Sequence, residues 1–378
     1  MSNSNGKEAQ KLVKYSVDRT KCIKESSHKP FKKDYQANQV VTELHPSSFT
    51  VQVKEIKVES GWAKTFVLTS EREFPPFQEG QYITVEVQIE GITYKRPFTI
   101  SCCSKRTHEH EIQITVQRVE HGLVSNYFFY QVNIGDYLTI HGPFGNFVYQ
   151  SLRDANEVLA IASESGIIPF KAMAEGICEG SLDFHLTILY HAKTEREFLF
   201  QRDFAEIMKR CDKVQVVYVL SEEEKEGFVS GLITKELILK YQKDVMSYFV
   251  CGPIGLYEAM NSILKELNIA NKYIRHDCYD ECEKGQLDET FEIRVLTGGQ
   301  EKIVFGNGLE SISKTLERAS IIAPKRCGVG VCGICRSKLL EGNVLTNDHY
   351  LRAIDEEYHY IHPCVSYPLS NIKIKLPK

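Results

Sequence analysis

"CGVGVCGIC", residues 327–335, is the stretch on which the reading turns. Four residues separate Cys327 from Cys332, and two separate Cys332 from Cys335. A further cysteine, Cys364, stands in "HPCVSYP", with 28 residues between it and Cys335. This C-x4-C-x2-C…C arrangement is the spacing of a 2Fe–2S site. The chemistry asks for these residue types: four thiolates must converge on two irons while the backbone bends tightly around bridging sulfides. Gly328, Gly330 and Gly333 permit positive φ and let N–H groups approach sulfur. Arg326 and Arg336 flank the loop and suit a negatively charged cluster. Structural zinc is the competing occupant, but it usually takes two separated, short-spaced pairs. Cys327, Cys332, Cys335 and Cys364 are therefore expected to be ligands. The other eight cysteines lack such spacing and read as buried or incidental thiols, Cys251 excepted.

The chain around this loop has 378 residues, room for two or three domains with cores of their own. A net charge of −4 gives no general reason to expect nucleic acid. No apolar run approaches the length that spans a bilayer. The start, "MSNSNGKEAQKLVK", is polar and does not read as a secretory signal. Twelve cysteines without an export signal point to metal or redox chemistry in a cytoplasmic protein rather than to a disulfide framework.

Working outward, the texture changes in steps. Residues 1–47 form an extension whose first 34 residues carry nine Lys and Arg against four Asp and Glu. It reads as a solvated segment or as a docking tail for an acidic partner. From residue 48 to 150, short β-rich runs such as "FTVQVKEIKV" and "QYITVEVQI" alternate with turn-prone stretches. That rhythm predicts an antiparallel β-barrel. From 151 to 280, "EVLAIAS", "LDFHLTILYH", "KVQVVYVLS" and "SYFVCGP" alternate with helical patterns, which predicts a parallel-sheet α/β domain. Residues 281–288 read as an acidic linker. A small α+β domain over 289–378 carries the cysteine loop.

Residues 289–378 resemble a plant-type ferredoxin of the β-grasp kind. Two barrel stretches, "YKRPFTISC" and "HGLVSNYFF", resemble the flavin motifs of the ferredoxin–NADP reductase superfamily. The resemblance places Arg96 on a flavin phosphate and Thr99 at the isoalloxazine edge. Gly122, Leu123, Val124 and Ser125 would then form the turn that opens a helix at the diphosphate. The physics agrees, because a helix N-terminus favours an anion and a guanidinium binds phosphate through two hydrogen bonds. Phe98 stands where the family usually has tyrosine, so an aromatic surface is kept and a hydroxyl lost. The full G-x-x-S turn favours FAD over FMN.

In the α/β domain, "ASESGIIPF" resembles the family's nucleotide turn, with Gly166, Ile167 and Pro169 in place. Ser163 and Glu164 replace small residues, and a carboxylate there would repel a diphosphate unless it points into solvent. "YFVCGP" resembles the strand end that sets Cys251 beside the nicotinamide and Gly252 and Pro253 against the nucleotide. The resemblance thus puts Thr99 and Cys251 in the neighbourhood of hydride transfer. Lys193 or Arg196, in "YHAKTEREFLF", would meet a 2′-phosphate, which leaves NADH and NADPH both open. Asp277 and Tyr279, in "IRHDCYDE", match positions near the flavin, with Tyr279 expected to touch it.

Together the resemblance implies an oxygenase-reductase type of protein, similar to the phthalate dioxygenase, phenylacetate-CoA oxygenase and hybrid-cluster protein reductases. It would take a hydride from NADH or NADPH onto FAD and pass single electrons through the cluster to a protein acceptor, an oxygenase or hybrid-cluster-type partner. A second reading, kept open by Glu164, is a non-catalytic electron-transfer subunit with a vestigial nucleotide site. A third is an oxidase whose acceptor is oxygen.

Overall fold

A computed structural model describes residues 48–278, 287–326, 328, 330, 332–346 and 353–377. The basic extension, most of the linker, Tyr279 and Cys327 lie outside the described residues.

Six strands form the first sheet: β1 (Phe49–Val58), β2 (Ala63–Thr69), β3 (Tyr82–Ile89), β4 (Ile92–Thr99), β5 (Glu111–Gln117) and β6 (Tyr137–Phe144). In β1 the alternation Phe49, Val51, Val53 buries one face, the two-residue period of a strand with a single wet side. The order is β4-β3-β6-β1-β2-β5, antiparallel throughout. Just past β4, a bridge between Ile100 and Ile114 joins the two outer strands and closes the barrel. Pro97 sits on β4, at the outer end of the ladder, where a missing N–H costs least. Helix α1 (Leu123–Tyr130) contributes Val124 and Phe128 to the barrel core.

The second sheet holds β7 (Glu157–Ser163), β8 (His185–Ala192), β9 (Val214–Leu220), β10 (Val229–Ser230), β11 (Ser247–Gly252) and β12 (Ile274–Cys278). All pair in parallel, in the order β10-β9-β8-β7-β11-β12. Helices α2 (Ile168–Glu179), α3 (Gln201–Arg210), α4 (Lys235–Tyr241) and α5 (Ile254–Glu266) connect them. β11 is buried along its whole length, as a central strand covered on both faces must be. Two separate apolar cores flank this sheet, one containing Phe170 and Phe249, the other Tyr248 and Leu264.

The third sheet is mixed. β13 (Thr290–Thr297), β14 (Gln300–Asn307), β15 (Ser337–Glu341), β17 (Tyr360–Ile361) and β19 (Ile372–Lys375) take the order β14-β13-β19-β15-β17, with β16 (Val344–Thr346) and β18 (Ser366–Pro368) as a separate pair. β13 and β19 are parallel, and helix α6 (Ile312–Arg318) packs Ile312 and Leu316 into the core they share. Residues 48–378 cluster as one compact unit. Among the described residues no helix is long and apolar enough to cross a membrane.

Candidate functional site

In the parallel sheet the chain runs outward from β7 through β8 and β9, then returns to β11 on the opposite side of β7. Such a reversal opens a crevice at the C-terminal strand ends, where α/β domains bind ligands. Gly166 and Cys251 meet there. A Cβ on Gly166 would lie 2.1 Å from the Cys251 carbonyl oxygen and 2.8 Å from the Gly252 nitrogen, so no larger residue fits. Cys251 is buried, and burial first, then the Asp277 carboxylate, pushes its thiol well above the usual range. It stays protonated, a neutral surface rather than a nucleophile. Ile167 is fully buried, Pro169 is the second residue of α2, and Pro253 caps α5. Glu164 is exposed at φ 52°; its carboxylate accepts from Gln117 Nε2 of β5 at 3.4 Å, and its carbonyl from the Tyr190 hydroxyl at 3.2 Å. Lys193 is exposed and pairs with Glu222 at 3.3 Å.

On the barrel, Gly122 caps α1 in an extended conformation, and no side chain accepts from the helix's first amides. Those amides are the donors that an anion can use. Ser125 Oγ donates to the Gly122 carbonyl at 3.2 Å and accepts from the Val119 N–H at 3.1 Å, which fixes the turn. A Cβ at Gly122 would meet that hydroxyl at 2.5 Å. Val124 is buried and Leu123 is exposed. Phe98 packs its ring 5.2 Å from Phe128 and so belongs partly to the barrel core. Thr99, half-buried, ends β4 opposite Tyr82.

The cysteine loop supports its expected occupant in two ways. Gly328, Gly330 and Gly333 all take positive φ, 77°, 81° and 68°. The sulfurs of Cys335 and Cys364, both buried, approach to 3.4 Å. That is too far for a disulfide, whose bond is about 2.05 Å, and close enough for both to bind one iron. Cys332 is half-buried in the same loop. Among the described residues no three His, Cys, Asp or Glu side chains are gathered into a metal-holding group.

One carboxylate joins the barrel to the cluster-bearing module. Glu317 of α6 accepts from Arg96 Nη1 at 3.2 and 3.3 Å and from Lys325 Nζ at 2.9 Å. Burial, then the nearby Arg96 charge, lowers the Lys325 pKa, against the opposing pull of Glu317. Beside this pair, the Arg326 guanidinium lies 4.0 Å from the Phe144 ring centroid, and Thr84 Oγ1 donates to the Arg326 carbonyl at 3.4 Å.

Three family models match in sequence order: an oxidoreductase FAD-binding domain over residues 50–149, an oxidoreductase NAD-binding domain over 161–262 and a 2Fe-2S iron-sulfur cluster binding domain over 295–369. The chain belongs to the ferredoxin–NADP reductase superfamily, in its oxygenase-reductase form. It is similar to the glycine betaine monooxygenase reductase subunit of Chromohalobacter salexigens, with 27% identity over 79% of this chain and 87% of that one. A component of the 1,2-phenylacetyl-CoA epoxidase of Escherichia coli is 25% identical over 78% of this chain and 87% of its own. The structure of phthalate dioxygenase reductase matches the fold with a TM-score of 0.67 and 20% identity, covering 88% of this chain and 98% of that one. The reductase is thus an oxidoreductase whose modules are built for FAD, NAD(P)H and a 2Fe–2S cluster.

Several residues of this reductase escaped the sequence reading. Glu79 is buried between barrel and α/β domain, where it accepts from Ser104 N, Ser104 Oγ and Ser181 Oγ at 2.8–2.9 Å. His362 is buried two residues before Cys364, with Nδ1 2.7 Å from the Gly330 carbonyl of the cysteine loop. Glu317 carried no signal, since its partner Arg96 is 221 residues away. Only His362, inside "HPC", had a local cue.

Proposed function

We propose that the chain is a reductase component that draws a hydride from NAD(P)H and delivers electrons one at a time to a protein acceptor of oxygenase or hybrid-cluster type. The observation that carries this reading is the Arg96–Glu317–Lys325 contact. It ties the strand with the flavin motif to the flank of the cysteine loop, so the residues assigned to the two redox groups are held in one assembly. FAD and a 2Fe–2S cluster, when bound, supply the conversion of a two-electron donor into single-electron delivery.

The chain's own residues do the rest. The α1 amides and the Gly122 turn would hold the diphosphate, and Arg96, on leaving Glu317, would add a positive charge there. Thr99 and Cys251 face the hydride-transfer neighbourhood, the thiol staying protonated so that it does not react with the nicotinamide. Gly166, Ile167, Pro169, Gly252 and Pro253 shape the nucleotide crevice. Cys327, Cys332, Cys335 and Cys364 would hold the irons, with the positive-φ glycines Gly328, Gly330 and Gly333 giving the loop the bends it needs. The relatives named above serve a monooxygenase and an epoxidase, which supports an oxygenase as the acceptor here.

Anaerobic stopped-flow mixing with NADH, and separately with NADPH, tests the proposal. Prompt flavin bleaching followed by cluster reduction is the expected sequence. Bleaching by neither nucleotide would remove the reductase reading and leave the non-catalytic electron-transfer subunit.

A further inference from the structure

The C-terminal ends of β9 and β10, on the far side of β7 from Cys251, frame a cavity of about 460 Å³, with the loop after β8 beside it. Ser221, Glu222, Glu223, Glu224, Ser230 and Gly231 line it. Three consecutive glutamates thus open onto the strand ends of a domain matched by an NAD-binding family model. The end of β8 adds Glu195 and Glu197. Cations are present, but most are already engaged. Lys193 sets its ammonium on Glu222 at 3.3 Å and its amide on Glu197 at 3.0 Å. Lys225 pairs with Glu195, whose own N–H is held by Glu223 at 2.8 Å. Arg196 is exposed on the same loop. The neighbourhood therefore holds five carboxylates against three cations. His191 bridges the strand ends, Nδ1 to Ser163 and Nε2 to Ser221, both at 3.1 Å. Burial lowers its pKa, so the ring adds no positive charge.

Resting on the reductase reading above, we infer that this acidic strand-end cavity selects NADH over NADPH, with Glu222 as the main discriminating residue. A nucleotide whose nicotinamide lies in the β7–β11 crevice extends across β7 toward β8 and β9, which brings its adenosine ribose to this cavity. The two donors differ there by one group. A free 2′-hydroxyl donates a hydrogen bond to a carboxylate, whereas a 2′-phosphate asks for an arginine or lysine and is repelled by glutamates. Lys193, which otherwise could meet that phosphate, would first have to leave Glu222. The exposure of both partners makes that pair weak, so discrimination comes from the surplus of negative charge rather than from a locked ion pair.

The test compares NADH with NADPH as reductants of the full-length flavin-loaded protein, and NAD+ with NADP+ as binding ligands followed by titration and thermal shift. NADH is expected to have a kcat/KM about tenfold or more above that of NADPH, and NAD+ to bind more tightly than NADP+. Glu222→Arg, a change at an exposed position, is expected to raise NADPH use and NADP+ binding and to narrow the preference about tenfold. Equal or better use of NADPH by the unaltered protein overturns the inference, as does a Glu222→Arg variant whose ratio does not move. Reduction by neither nucleotide, with no binding of either, overturns the reductase reading itself, and this inference falls with it.

Discussion

Gly166 shows how much one residue decides in this protein. Its Cα faces the carbonyl of Cys251 so closely that a methyl group would lie 2.1 Å from the oxygen. The atom it would meet is backbone rather than a flexible side chain, so the turn after β7 and strand β11 must part to admit it. Gly166→Ala is expected to cost about 1–3 kcal/mol of stability and to abolish NADH-driven flavin bleaching while leaving flavin content unchanged. A variant that bleaches normally would show that the crevice does not hold the nicotinamide. His276 sets a different dependence. Its ring packs edge-on to Tyr257, and burial lowers its pKa from 6.5 to about 4. Between those values the unfolded chain carries a proton there that the folded chain excludes, so stability falls as pH falls through the window. Melting temperature is expected to drop more steeply from pH 6.5 toward 4 in the unaltered protein than in His276→Gln. Parallel profiles would mean another group controls the acid side.

At the scale of elements, the junction of α6 with β4 governs how the cluster module meets the barrel. Glu317 is mostly shielded from water and faces two cations, one of them Lys325, which is itself largely shielded. Removing the carboxylate leaves those cations to repel one another in a poorly solvated place. Glu317→Ala is expected to lower stability by about 2–4 kcal/mol. Glu317→Gln keeps the shape and is expected to lose less. In both variants hydride uptake by the flavin should persist, while the later cluster-reduction phase slows by about tenfold. Unchanged second-phase kinetics in both would show that the contact is incidental to electron transfer. The β7–β11 pair is the other decisive junction, because its parallel register places Cys251 opposite Ala162, two residues before Glu164 and the turn it opens.

For the whole molecule, the cluster-bearing module is the expected exit for electrons, and Cys335 tests it. Cys335→Ser is expected to keep the flavin and its reduction by NADH but to lose about tenfold or more of cytochrome c reduction. Full retention would place the exit elsewhere. The three modules were legible in sequence because each announces itself through short-range rules. Strand alternation and turn residues marked the barrel, strand–helix alternation the parallel sheet, and the cysteine spacing with its three glycines the cluster loop. The four cysteines were named from the chain as one ligand set, and the 3.4 Å approach of Cys335 to Cys364 was added by the structure. Arg96 was expected at a flavin phosphate by resemblance, and its engagement by Glu317 was not foreseen. That contact, like the serines around Glu79, joins residues separated by 25 to 221 positions. The charge surplus at the ends of β8 and β9 was equally hidden, since "KTEREF" and "SEEEKE" become neighbours only when parallel strands lie side by side. The sequence by itself determined the modules, their order and the glycines and cysteines that backbone sterics and metal chemistry demand. Only the tertiary structure decided which charges meet, because that depends on how distant segments pack, and no local period encodes it.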